Sequence, residues 1–265
     1  MSEAPDAARR VGATGDDARS PQLLRAVLRL REKLLAGAFP PGERVAELTL
    51  APLLGVSRTP LRLALGVLEH EGLLRTLPSG GFVVRDFTAS DIADAIELRG
   101  VLEGTAARFA AERWTGAAAL VPMREAVAAM DRLTNAEEMD FGEYVSANES
   151  FHAALQTLAA SPMLDRALAQ ATALPFASPS AFVHAQAELA EHHRVLVIAQ
   201  DQHRCILEAI QHREGGRAEA LAREHARLAR RNLDAALSNR AAMEVVPGSA
   251  LIRPPAKERR HARSA

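Results

Sequence analysis

From residue 22 to 36 the apolar positions Leu23, Leu24, Val27, Leu28, Leu30, Leu34 and Leu35 recur at helical spacing. Gly37 and the Pro40-Pro41-Gly42 run end that helix. A short second helical stretch over 47–54 stops at Gly55. A third follows Ser57-Arg58-Thr59-Pro60, where a hydroxyl can cap and proline suits the first turn; it carries Leu61, Ala64, Leu65 and Leu68 on one face. LLRTL and GFVVR, parted by Pro78-Ser79-Gly80, predict a β-hairpin. Beyond Thr88 the strand signals vanish. Thr88 with Asp91 forms a capping-box pattern, and helical patterns follow over 88–112, 116–133, 137–160, 162–174, 180–213 and 217–239. Gly116, Thr134-Asn135, Ser161-Pro162, Pro175 with Pro179, and Gly215-Gly216 separate them.

This order predicts a mainly α chain in two parts. Residues 21–87 form a winged helix-turn-helix with a small β-hairpin wing, and residues 88–240 an all-α antiparallel bundle. Residues 1–20 and 241–265 are rich in Ala, Gly, Pro and charge without periodicity, and both are expected to be flexible tails, the second one basic.

Composition narrows the class. With 48% hydrophobic and 25% charged residues the chain is expected to be a soluble globular protein, neither disordered nor membranous. No apolar run approaches the roughly 20 residues of a membrane-spanning helix. The opening MSEAPDAARRVGATGDDARS has no apolar core of the kind a signal peptide carries. Cys205, the single cysteine, rules out an internal disulfide and fits a reducing compartment, so a cytoplasmic location is expected. The net charge of -1 does not announce a nucleic-acid partner, but residues 21–86 carry nine Lys/Arg against six Asp/Glu.

The third helix is the natural reading element for DNA. Arg58 and Arg62 lie four apart and share a face opposite Leu61 and Leu65. One guanidinium can read a guanine while the other holds phosphate, and Ser57 and Thr59 offer short hydroxyls to phosphate oxygens. Gly80 and Gly81 at the hairpin tip allow close backbone approach to the minor groove.

In the bundle, polar residues interrupt apolar stripes. Phe141, Tyr144, Asn148, His152, Leu155 and Ala159 share one face, so Asn148 and His152 point inward one turn apart. His203 continues the stripe Leu196, Ala199, Ile206 and Ile210, and His225 lies between Leu221 and Leu228. Each is either a hydrogen-bonded core histidine or one ligand of a shared divalent metal, zinc or nickel suiting imidazole best. Arg99 continues the stripe Ile92 and Ile96 with Glu103 one turn on. A guanidinium in a core needs an anion, either Glu103 or the carboxylate of a ligand.

Two sets of motifs resemble one family. LLAGAFPPGERVAELTLAPLLGVSRTPLRLALGVLEHEGLLRTLPSGGFVV resembles the DNA-binding domain of GntR-type regulators, above all in PPGERV, LGVSRTPLR and EGLL…GGFV. ELRGVLEGTAARFAAE, NESFHAAL and QHRCILEAI…GGRAEALAREH resemble the FCD effector domain of the FadR-like branch. The resemblance implies DNA contacts by Ser57, Arg58, Thr59, Arg62 and Gly80, a metal site of Asn148, His152, His203 and His225, and effector contact by Arg99. It departs from the family pattern at Leu48, where members often place arginine, at Pro52, and at Asn148, where many have aspartate. The expectation is a homodimeric regulator on an inverted-repeat DNA operator, switched by a small carboxylate at the metal site. A metal-dependent hydrolase fused to a DNA-binding module and a ligand-independent DNA-binding dimer are the alternatives.

Overall fold

The computed structural model describes residues 21–186 and 192–253. The N-terminal part runs α1 (Pro21–Leu35), β1 (Arg44–Val45), α2 (Glu47–Leu54), α3 (Arg58–His70), β2 (Leu74–Thr76) and β3 (Phe82–Val84). This is the predicted winged helix-turn-helix with one addition. The two-residue strand β1 pairs antiparallel with β3, giving the sheet order β1-β3-β2. A strand of two residues has no alternation to betray it. In α1 the buried face is Leu23, Ala26, Val27, Leu30 and Leu34, while Leu24 and Leu28 are exposed although they match the spacing. Gly80 and Gly81 close the hairpin at positive φ (82° and 84°), a conformation that costs an L side chain dearly.

The helical part contains α4 (Ala89–Arg113), α5 (Val121–Thr134), α6 (Phe141–Ala159), α7 (Pro162–Ala171), α8 (Val183–Gln186), α9 (His192–Gln211), α10 (Gly215–Ser238) and α11 (Arg240–Glu244). Thr88 and Asp91 form the expected capping box: Thr88 Oγ1 accepts from Asp91 N at 3.1 Å, and Thr88 N donates back to Asp91 Oδ2 at 2.7 Å. The single helix expected over 180–213 is instead α8 and α9, with residues 187–191 outside the described residues.

The stretch expected as a tail from residue 241 is ordered as far as Arg253. After α11 a turn at Ser249–Leu251 leads into Ile252, which bridges to Phe87. Phe87 N donates to Leu251 O (2.9 Å), Arg253 N donates to Phe87 O (2.7 Å), and Arg253 pairs with Asp86. The physical reason is apolar content without period: Val246, Leu251 and Ile252 are buried, yet MEVVPGSALI alternates with neither a helix nor a strand. The remainder of that stretch and residues 1–20 lie outside the described residues.

Two apolar clusters result. One joins α1–α3 and the hairpin to Phe87, Ile92, Ile96, Phe176, Phe182, Leu233 and Leu251, so it unites the winged helix-turn-helix with the start of α4, the end of α10 and the C-terminal strap. The other fills the bundle between α4, α5, α6, α9 and α10. Helices α4 and α10 run very close. A Cβ on Gly100 would stand 2.8 Å from Ala226 Cβ, and one on Gly104 2.6 Å from Arg223 Cγ, so only glycine permits this approach.

Candidate DNA-reading surface and histidine centre

Burial of Pro60, Leu61, Ala64, Leu65 and Leu68 fixes which way α3 faces. Ser57, Arg58, Thr59 and Arg62 are all on its exposed side, and Gly80 is exposed at the wing tip. Ser57 is the N-cap residue, extended in φ and ψ, but its side chain makes no cap hydrogen bond. Arg62 Nε lies 3.3 Å from Glu47 Oε1 at the start of α2. Such an exposed pair contributes little and can give way to a phosphate. Sequence reasoning passed over Arg44, whose guanidinium donates to Gly80 O at 2.9 Å and so steadies the wing tip. Leu48, at the position where an arginine is common in the resembled family, is exposed.

The three histidines singled out on separate helices come together. His152 on α6, His203 on α9 and His225 on α10 each offer a ring nitrogen within 4.8 Å of the others. Ring centroids are 4.3 Å apart for His203 and His225, 5.7 Å for His152 and His225, and 6.0 Å for His152 and His203. His152 and His203 are buried, and the Nε2 of each has no hydrogen-bond partner. His152 Nδ1 is likewise without a partner, and since buried polar atoms are normally paired, these orphaned imidazole nitrogens fit a bound cation. Asn148 is buried one turn before His152. Its amide nitrogen donates to Ser180 Oγ at 3.0 Å, leaving Oδ1 as the atom suited to a cation.

Around this centre lie residues whose part the sequence did not reveal. Glu103 Oε1 is 3.0 Å from His152 Nδ1 and 3.8 Å from Arg99 Nη1, so the carboxylate that spacing paired with Arg99 sits closer to an imidazole. Gln200 Oε1 is 3.2 Å from His203 Nδ1, and Gln202 Oε1 is 3.1 Å from His225 Nδ1. Gln200 was detectable, standing three residues before His203; Gln202 and Glu103 reach across helices that only the fold aligns. Of the remaining histidines, His193 and His212 are exposed, while the side chains of His184 and His192 lie outside the described residues.

Burial keeps the imidazoles of His203 and His225 neutral. Burial, then the neighbouring His225 and His152, hold His203 well below the usual histidine range. Burial, then His152, lowers His225 to about 3, with Glu103 pulling upward and Arg99 downward. For Glu103 burial would raise the carboxyl, but Arg99, with His152 and His225, brings it down to about 2. Since burial disfavours charge on His225, Arg99 is the partner that keeps Glu103 ionised.

Arg99 is buried, with its Nε unpartnered. It borders a small cavity of about 40 Å³ together with Tyr144, Leu196, Ala199, His225 and Asn232. Tyr144 Oη is likewise buried without a partner, and burial pushes its pKa up. Pro179 and Val183, on either side of Ser180 in the chain, also line the cavity. Two residues further along, Phe182 and, on the other side, Phe176 belong to the apolar cluster of the DNA-reading part, and Phe176 packs edge-on against Phe87 at 4.7 Å.

A winged helix-turn-helix followed by a helical bundle defines a DNA-binding regulator. The comparisons agree with that class. Residues 23–84 match the family described as bacterial regulatory proteins, gntR family, and residues 94–228 match the FCD domain. The chain belongs to the GntR family of transcriptional regulators and carries an FCD domain. Over 114 residues it is 41% identical to the Nta operon transcriptional regulator of Aminobacter aminovorans, covering 43% of this chain and 52% of that protein. Over 132 residues it is 33% identical to an HTH-type transcriptional regulator in the unstable DNA locus of Streptomyces ambofaciens, covering 49% of this chain and 53% of that protein. The chain thus spans about half the length of these two curated relatives. Its fold is shared with E. coli McbR/YncC (TM-score 0.54, 21% identity, 78% of this chain and 94% of that one). It is also shared with Lar, which controls expression of the Listeria monocytogenes agr system (TM-score 0.56, 21% identity, 82% and 98%). The matched family and the two curated relatives are transcriptional regulators, which are not enzymes, and this protein is a transcriptional regulator too. Among the described residues no helix is long and apolar enough to cross a membrane.

Proposed function

We propose that this regulator works in the cytoplasm as a homodimer on an inverted-repeat operator, and that a small carboxylate bound at a divalent metal in the FCD domain sets its operator affinity. The observation that carries the reading is the convergence of His152, His203 and His225, with two orphaned Nε2 atoms, beside an arginine whose nearest anion is 3.8 Å away. His152, His203 and His225, with Asn148 through Oδ1, would hold zinc or nickel. The ion would act as a Lewis acid that anchors an anionic ligand, and Arg99 supplies the matching cation for a carboxylate. On the DNA side, Arg58 and Arg62 read and grip the major groove, Ser57 and Thr59 bind phosphate, and Gly80 brings the wing backbone close.

Coupling follows from the segment between α7 and α8. Its Ser180 is bonded to Asn148, its Pro179 lines the cavity, and its Phe176 packs on Phe87 at the exit of the wing. A cavity of about 40 Å³ holds little more than a water, so an organic acid must widen it and displace that segment. The ligand then favours one arrangement of the DNA-reading part over another, which is what a switch requires.

A thermal-shift series of small carboxylic acids on zinc-loaded and EDTA-treated protein tests the reading. An acid that raises the melting temperature only in the presence of metal is the expected result. If EDTA treatment leaves the melt unchanged and no acid acts, the metal-dependent sensor is wrong.

A further inference from the structure

Each of the three imidazoles has a side-chain oxygen beside its Nδ1, and each oxygen comes from a different residue: Gln200 for His203, Gln202 for His225 and Glu103 for His152. For His203 the surrounding bonds settle which ring nitrogen bears the proton. Gln200 is buried, and its Nε2 donates to Val127 O at 2.9 Å and to Asp131 Oδ1 at 2.6 Å. Turning that amide over would set its oxygen against two acceptors. Its Oε1 therefore faces His203 Nδ1, and only an N–H can meet a carbonyl oxygen there. Asp131 is itself held by Arg204, whose Nη2 and Nε lie 2.6 Å and 2.9 Å from Oδ1. The chain Arg204, Asp131, Gln200, His203 runs from the surface of α9 into the middle of the bundle.

We propose that Gln200 is a positioning residue of the metal centre: it fixes His203 as the Nδ1–H tautomer and so turns the Nε2 lone pair toward the ion. Gln202 does the same for His225, while Glu103 Oε1 stands 3.0 Å from His152 Nδ1 without the alignment of a hydrogen bond. The inference rests on the metal reading given above. Its physical basis is general: an acceptor on the far nitrogen selects the tautomer, orients the ring and makes the ligand nitrogen more basic. Without it a buried neutral imidazole is free to carry its proton on Nε2, where it blocks the metal. In this centre, where a neutral amide stands at Asn148, imidazole orientation carries more of the affinity than in a site with a carboxylate ligand.

Two measurements on the full chain test this. Two-bond ¹⁵N–¹H correlation spectra of the metal-free protein report the tautomer of His203, expected as Nδ1–H, and its shift toward Nε2–H or a mixture in Gln200→Met. Calorimetric titration with zinc alone then compares the wild type with Gln200→Met, a substitution of similar length and volume. We expect zinc affinity to fall about 10- to 100-fold in the variant. A wild-type protein that takes up no zinc would overturn the metal reading, and this inference with it. Equal zinc affinity in both proteins, or an Nε2–H tautomer at His203 in the wild type, would overturn this inference alone. The wild-type spectrum needs no variant, so the proposal stays testable even if Gln200→Met fails to fold.

Discussion

Gly100→Ala adds a single methyl group at the closest approach of α4 and α10, and its effect can be worked from the geometry. The new carbon would stand 2.8 Å from Ala226 Cβ, where two carbons prefer about 3.5–4.0 Å. Alanine at 226 has no rotamer to relieve the clash, so the helix axes must part by roughly 0.7–1.2 Å. Overpacking of this kind costs about 1–3 kcal/mol, offset by about 1 kcal/mol that alanine gains over glycine within a helix. Gly66→Ala in α3 is the matched control, since a Cβ there meets nothing within 4 Å and only the helix gain of about 0.5–1 kcal/mol applies. The same chemical change is thus expected to lower the melting temperature at residue 100 and raise it at residue 66. The consequence reaches the histidines. Ala226 follows His225 directly, and metal centres tolerate displacements of only about 0.2 Å, so zinc affinity should fall with stability in Gly100→Ala. Thermal melts and zinc titrations of the two single variants and of Gly100→Ala/Ala226→Gly check this. The double variant removes the clash and should recover both properties. If Gly100→Ala were stabilised as much as Gly66→Ala, the close packing of α4 on α10 would be refuted.

Acid should unfold the metal-free protein earlier than its carboxylates alone require. His203 and His225 have pKa values depressed by burial, so below the ordinary value of about 6.5 the unfolded chain binds protons that the folded one refuses; stability then falls as pH drops from about 6.5 toward the depressed values. Between about pH 7.5 and 5.5 the two groups together cost on the order of 3 kcal/mol, and urea unfolding of EDTA-treated wild type against His203→Gln/His225→Gln should show that slope only in the wild type. At the other end of the molecule, replacing Arg58 by Ala should cost about 1–3 kcal/mol of binding if it reads a base, and replacing Arg62 should reduce the salt dependence of binding by about one phosphate. Fluorescence titrations on DNA selected from a random pool would detect either loss, and undiminished binding by Arg58→Ala/Arg62→Ala would remove α3 as the reading helix. Leu251→Ala, which empties a fully buried position in the C-terminal strap, should cost about 2–5 kcal/mol in urea unfolding; a loss below about 0.5 kcal/mol would mean the strap does not hold the DNA-reading part.

The fold was legible wherever period and punctuation agreed. Helices α3, α4, α6 and α10 stand close to their predicted bounds because each joins a cap or a glycine to a regular apolar stripe, as Thr88 and Asp91 do for α4. What escaped was structure held by tertiary contact. Strand β1 exists because β3 lies beside it, and the strap through Leu251 and Ile252 is ordered because Phe87 offers it backbone partners and a core to enter. The same division runs through the site. A histidine on an apolar stripe must face inward, so the inward placement of His152, His203 and His225 followed from helical spacing alone. Which atom of each ring faces its neighbours depends on what lies behind it, and two of those three partners come from other helices, Glu103 from α4 and Gln202 from α9. Periodicity tells which side chains meet in a core, while the proton on a ring nitrogen is decided by the acceptor behind it, which for His203 is Gln200 on the same helix, itself oriented by Val127 and Asp131 on α5. For a metal centre the second matters as much as the first, because an imidazole in place with its proton on the wrong nitrogen is no ligand at all.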